Sequence, residues 1–474
     1  MPANARKDIV REGEIGIYHC WSRCVQRAFL CGFDAVTQRD FDYRRGWIES
    51  LLAYLAGVFA IDVGNYSVLS NHFHALLRTR PDLAAMWSAE EVALRWKLAW
   101  PEFRDKQWVR EPTDAEIETL LAQPALIERL RGRLCSLSWY MGRLKEPIAR
   151  QCNAEMDTSG HFWDARFRSR ELLDDEATLT CSLYIDLNQV KAGMADALED
   201  CRHSAVRQRI LAAKVREARA SYDDVLVREP DLSGGFSLEQ AQLLFADCHL
   251  APIAAEGPLL TTDASQQAQQ HSGLTRDQTP TVAARLILPA SCDACPEPAG
   301  SHEQPEAATE ATSADDRQET PAATADTAAM ADTPQPGEAQ PGEAQPQPQP
   351  VRRRASDVPF LGMAWTEYLR IARTLASRIV RERSRPGAPR PTVPDQPDPQ
   401  DLMDEPELHA ALARWGFNPA VWLAQFERLD RQCTRALGRA ERVLRRAQEV
   451  AQQRFHGIAF CRAVFAEASS EGFT

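Results

Sequence analysis

The chain lacks any apolar run near the roughly 20 residues a membrane-crossing helix needs; even Trp47–Val63 is broken by Glu49, Gly57 and Asp62. It shows no apolar leader, Met1–Val10 being polar, so the expectation is a cytoplasmic protein without a membrane partner, at the nucleoid when bound to DNA. It also lacks net positive charge, since 55 Lys and Arg are set against 67 Asp and Glu, a formal balance of -12. That average speaks against a uniformly basic polyanion binder, although phosphate binding follows local charge. A disulfide framework is missing as well: the 12 Cys are scattered, the usage of a reducing compartment. Cys292 and Cys295 have no second pair, which disfavours zinc.

What is present is an ordinary soluble composition, 44% hydrophobic and 26% charged, in a chain of 474 residues that exceeds one usual core. The pattern divides it into a first domain over 13–220, a partly helical extension over 221–260, a linker over 261–355 and a small all-helical domain over 356–474. The linker is rich in Pro, Ala, Gln and Glu, repeats Pro-Gly-Glu-Ala-Gln at Pro336 and Pro341, and is expected to be disordered. The last segment takes Trp415, Trp422, Phe426 and Leu429 as its core.

Within the first domain, periodicity predicts a strand at Ile15–Cys20, a helix at Asp42–Phe59 and strands at Val63–Leu69 and His74–Leu77, joined by a tight turn at Ser70-Asn71. Helices follow at Leu83–Trp100 and Ala125–Gln151, then a strand at Phe162–Leu173 and a helix at Asp175–Leu187 whose first turn is acidic. This order reads as an α+β fold with an antiparallel sheet.

Two clusters can carry chemistry. In Asn71-His72-Phe73-His74, strand geometry puts His72 and His74 on one face about 6.6 Å apart, able to share a metal ion, with Phe73 turned into the core. In Tyr184-Ile185-Asp186-Leu187-Asn188, helical spacing of four lets a phenol and an amide address one site. Taken singly, each has a plain structural reading, a chance histidine pair and a half-buried packing tyrosine. Basic residues gather at Arg129–Arg150, including Arg143 and Lys145, and at Arg166, Arg168 and Arg170, with Trp139, Tyr140 and Trp163 available to stack on unpaired bases.

Four blocks in order, Tyr18-His19-Cys20-Trp21-Ser22-Arg23, Val68–Leu77, Gly160–Phe167 and Tyr184–Gly193, resemble the single-tyrosine, His-hydrophobic-His (HUH) transposases of simple insertion sequences, closest to the REP-associated tyrosine transposases. The resemblance spans about Gly13 to Arg209. It implies a ferredoxin-like HUH nuclease core, Tyr184 as nucleophile, and His72, His74 and Asn188 as ligands of Mg2+ or Mn2+. It further implies single-stranded or hairpin DNA as substrate, held by Arg23, Arg143, Lys145, Trp163, Arg166, Arg168 and Arg170, in a monomer or homodimer. Leu69-Ser70 and Gln189 depart from the family, which has Met-Pro or a similar pair and proline there; neither position supplies a catalytic group.

A tyrosine with a reference pKa near 10 needs a cation or base beside it to attack phosphorus. The phosphotyrosine so formed keeps the bond energy and permits strand transfer. Three functions stay open: an active transposase, a domesticated DNA-binding regulator on the same fold, and an acidic interaction protein that shares only the architecture.

Overall fold

The computed structural model describes residues 9–25, 31–35, 38–104, 107–109, 112–228, 246–253, 356, 358–383, 402–426, 429, 436–450 and 458–465. The linker expected over 261–355, the pair Cys292 and Cys295, and most of the extension over 221–260 lie outside these residues.

The strands are β1 (Ile17–Arg23), β2 (Phe33–Asp34), β3 (Arg39–Asp40), β4 (Ile61–Val68), β5 (His72–Thr79), β6 (Glu102–Arg104), β7 (Gln107–Val109), β8 (Arg168–Leu172) and β9 (Ala436–Leu437). The first helices are α1 (Tyr43–Val58), α2 (Pro81–Met86), α3 (Ala89–Ala99), α4 (Asp114–Leu121), α5 (Pro124–Leu134) and α6 (Leu137–Glu155). Then come α7 (Asp175–Asp186), α8 (Asn188–Lys191) and α9 (Ala205–Arg228). Further on, Trp365–Arg383, Glu405–Arg414, Pro419–Phe426, Ala440–Glu449 and Ile458–Val464 are helical.

The main sheet has the order β4-β5-β1-β8-β9. The pairings among β4, β5, β1 and β8 are antiparallel, whereas β9 joins β8 in parallel. The architecture is therefore α+β with a mixed sheet, which corrects the wholly antiparallel expectation; β9 equally corrects an all-helical reading of 356–474. Periodicity alone could not find β9, a strand of two residues whose partner is β8.

Helix α1 forms where the spacing places it, with Ile48, Leu52, Leu55 and Val58 buried on one face. The stretch expected as one helix over Leu83–Trp100 breaks because the Ser88 hydroxyl accepts the Glu91 N–H and starts α3 afresh. Ala125–Gln151 likewise divides at Cys135-Ser136. The expected strand at Phe162–Leu173 shortens to β8, because Phe162, Trp163 and Asp164 are tied by backbone bonds and a bridge to Arg23, Cys24 and Val25 instead.

Side chains opposite one another in antiparallel strands share a face. One face carries Tyr18 and Cys20 of β1 with Phe73, Ala75 and Leu77 of β5, and packs on α1, α3, α5 and α6 in one hydrophobic cluster. The other face lies under α7 and the downstream helices, and its cluster joins Leu76, Leu172, Leu183, Tyr184, Tyr368, Trp422 and Leu437. The described residues of 356–474 thus share a core with α7, where the sequence predicts a separate domain. Gly64, at an irregularity of β4, permits this closeness, since a Cβ there would meet the Phe360 ring at 2.3 Å. Among the described residues no helix is long and apolar enough to cross a membrane.

Candidate active site

The turn between β4 and β5 forms at Ser70-Asn71, as its sequence predicts: the Leu69 N–H donates to the His72 carbonyl at 2.8 Å. It is braced from outside, because Cys24 and Cys31 donate backbone N–H groups to the Asn71 and Ser70 carbonyls at 2.9 and 2.8 Å. From this fixed start β5 alternates as expected. Phe73 is buried edge-on to Trp163, while the His72 and His74 rings lie on the other face with centroids 5.0 Å apart.

Tyr184 reaches the same place from α7. Its helix is N-capped by Asp174, whose carboxylate accepts the Ala177 N–H at 2.9 Å. The Tyr184 ring stands edge-to-face on His74 at 5.6 Å and on His19 at 6.0 Å. Tyr184 is 6% exposed and His74 5%. The Lys191 ammonium lies 5.2 Å from the tyrosine ring centroid and is capped by the Phe426 carbonyl at 3.4 Å. Helix α7 ends at Asp186, so Asn188 opens α8 instead of continuing the tyrosine's own helix.

The imidazoles are neutral. Burial lowers the His72 pKa to about 4, with a lesser push from Arg23, and burial holds His74 well below the ordinary histidine range, with His72, His19, Arg23 and Arg170 adding to it. The neutral ring is the form that can donate a lone pair to a metal. His72 Nδ1 faces the Asn71 amide oxygen at 2.6 Å, an acceptor, so Nδ1 carries the proton and Nε2 keeps the lone pair. His74 Nε2 is buried without a hydrogen-bond partner, as is the Asn188 Nδ2; a half-turn about χ2 would present the amide oxygen of Asn188 instead. Among the described residues no three His, Cys, Asp or Glu side chains are set to hold an ion by themselves. Two imidazoles and an amide oxygen are the kind of donor set that suits a divalent cation.

The expected DNA contacts separate into two groups. Arg23, Arg166 and Arg168 are exposed. Lys145 (9% exposed) donates to the Ala165 carbonyl at 2.9 Å and sits 5.4 Å over the Trp163 ring, whose own Nε1 donates to the Lys145 carbonyl at 3.0 Å. Trp163 therefore packs in the core and offers no open stacking surface. Arg143 is half-buried and donates to the Ala99 carbonyl, and Arg170 (3% exposed) lies 5.7 Å over Trp21. The remaining basic strip serves mainly to stitch helices: Arg131 donates to the Ala84 and Trp87 carbonyls at 2.6 and 2.7 Å, and Arg133 lies 4.5 Å over Trp139. Tyr140 is fully buried. Sequence reasoning passed over His19, whose Nε2 meets His74 Nδ1 at 2.8 Å. The alternation of His19, Trp21 and Arg23 along β1 was the available signal, since it places all three on the histidine face.

No family model matches the chain, and no curated protein matches it. Among solved structures the chain is similar to a REP-associated tyrosine transposase bound to a REP hairpin, at 11% identity and a TM-score of 0.24, over 43% of this chain and 82% of that one. At that level of likeness, any functional assignment has to come from the residues of this chain.

Proposed function

We propose that this chain is a transposase of the single-tyrosine type, which cuts and rejoins single-stranded or hairpin DNA on a ferredoxin-like core formed by β1, β4, β5 and β8. One observation carries the reading: Tyr184 of α7 and the His72–His74 pair of β5, more than a hundred residues apart in sequence, meet on one side of the sheet, the tyrosine ring 5.6 Å from His74. All of these groups come from one chain, so the reading needs no second copy.

In this mechanism Tyr184 Oη attacks phosphorus, forming a P–O bond to the phenol and breaking the bond to the 3′ oxygen. The phenolic proton passes through solvent to the departing 3′ hydroxyl, and a 5′-phosphotyrosine is left. The Lys191 ammonium beside the ring favours the phenolate. Arg23, Arg166 and Arg168 hold the DNA backbone at the exposed rim. A Mg2+ or Mn2+ ion, held by His72 Nε2, His74 Nε2 and the Asn188 amide oxygen, would supply charge to stabilise the phosphate oxygens. Return attack by the 3′ hydroxyl on the phosphotyrosine makes the cut reversible and gives strand transfer.

The test is incubation of the full chain with a 3′-labelled hairpin-bearing oligonucleotide and Mn2+, resolved under denaturing conditions. A protein-linked label is expected, with none in Tyr184→Phe. Absence of an adduct from every hairpin-bearing strand tried overturns the reading. A second function, DNA-binding regulation without cutting, is favoured by the near-complete burial of Tyr184 and His74; DNA binding that survives His72→Ala with His74→Ala, without nicking, would establish it.

A further inference from the structure

His19 has no role in the chemistry above, yet among the described residues it forms the one side-chain hydrogen bond to His74, Nε2 to Nδ1 at 2.8 Å. The two rings stack at 5.0 Å and 27°, and His19 in turn lies 4.9 Å from Trp21, over which Arg170 is placed at 5.7 Å. His74 is therefore held from behind by a packed column as well as by a hydrogen bond.

The 2.8 Å hydrogen bond between these two buried ring nitrogens holds a single proton, and a ring that binds a metal through nitrogen is neutral. If His19 donates it, His74 carries its own proton on Nε2 and has no lone pair to offer. If His74 donates it, the His74 Nε2 lone pair is free and the leftover proton sits on His19 Nδ1. Each arrangement leaves one buried N–H without a partner, at His74 Nε2 or at His19 Nδ1. A cation at His74 Nε2 selects the second, since only that arrangement leaves the lone pair free.

We infer that His19 is a positioning residue for His74: it accepts the His74 Nδ1–H, fixes that ring's tautomer and orientation, and so completes the cation site from behind. This rests on the reading that His72 and His74 hold a divalent cation. The Asn71 amide oxygen has the matching task behind His72, at 2.6 Å. Partners of this kind typically change metal affinity by about 10- to 100-fold when removed.

The experiment compares the full-length wild type with His19→Leu, which removes the acceptor, and His19→Gln, which keeps one. Mn2+ binding is followed through the paramagnetic resonance signal of the free aquo ion, and the His74 tautomer through long-range 1H–15N correlations with Mg2+ added. The Leu variant should raise the Mn2+ dissociation constant by about 10- to 100-fold, while the Gln variant stays close to wild type. The wild-type His74 ring should carry its proton on Nδ1. Equal Mn2+ affinity in wild type and Leu variant, or an Nε2–H tautomer on His74 with Mg2+ present, overturns the role of His19 while leaving the cation site standing. Wild type that takes up no Mn2+, or uptake indifferent to His72→Ala, overturns the cation site and this role together. If the Leu variant does not fold, the wild-type tautomer and the Gln variant decide.

Discussion

The two faces of the central sheet are made from alternate residues of the same strands, yet their chemistry is opposite. Toward α1 and α3–α6 the strands present Tyr18, Cys20, Phe73, Ala75 and Leu77, all buried in one apolar cluster. Toward α7 they present His19, Trp21, Arg23, His72, His74, Arg168 and Arg170, with Asn65 and Ser67 alongside on β4. The first face can hold the fold by hydrophobic burial alone. The second must give partners to each polar group it removes from water, and it does so through α7 and the downstream helices. Asn65 donates to the Ser182 carbonyl at 3.2 Å, and Ser67 Oγ accepts from the Gln189 amide at 3.2 Å. Stability and chemistry are thus assigned to opposite sides of one layer.

The comparison breaks most readily from its apolar side. Phe73→Ala, which empties a fully buried ring site against Trp163, is expected to cost about 3–5 kcal/mol, measured by denaturant unfolding. If it costs no more than a surface change, the apolar face does not hold the fold.

Acid tests the polar side. His72 and His249 are buried with pKa values lowered to about 4, so between pH 6.5 and 4 the unfolded chain binds protons that the folded chain refuses. Stability therefore falls as pH drops through that window, by about 1.4 kcal/mol per unit for one such group. Asp186, raised to about 6 by burial, acts in the opposite sense over part of the range. The His249→Gln variant should show a shallower acid slope in a series of melts from pH 7 to 4.5. An unchanged slope would show that His249 is not held neutral by the fold.

The smallest expected effect is at the covering layer. Trp422→Phe removes the 2.9 Å bond to Thr180 Oγ1 while keeping most of the ring, and is expected to cost about 1 kcal/mol. A neutral result would mean that this bond is worth no more than the indole's bond to water in the unfolded chain.

Much of the site was legible because it depends on local period. The alternation of Asn71-His72-Phe73-His74 fixed which ring faces which side, and Ser70-Asn71 marked the turn that starts β5. The acidic first turn of α7 marked its start. What escaped depends on partners far away in sequence. Lys145, on an expected helix, and Trp163, on an expected strand, both read as DNA contacts, since neither segment alone tells that Lys145 donates to the Ala165 carbonyl and Trp163 to that of Lys145. His19 needed the register of β1 against β5 to be seen beside His74. The packing of Leu437 and Trp422 onto β8 and α7 follows from no periodicity, because those residues show only that they are apolar.

The anchors of α7 have an effect on timing. Asp174 takes the Arg439 N–H from 265 positions downstream, Thr180 takes the Trp422 indole from 242 and Asp186 takes the Tyr368 hydroxyl from 182. At about 5–20 residues per second on a ribosome, the N-terminal end of the tyrosine helix waits roughly 13 to 53 s for its clasp. Until those segments emerge, Asp174, Thr180 and Asp186 lack these partners and must meet water in their place.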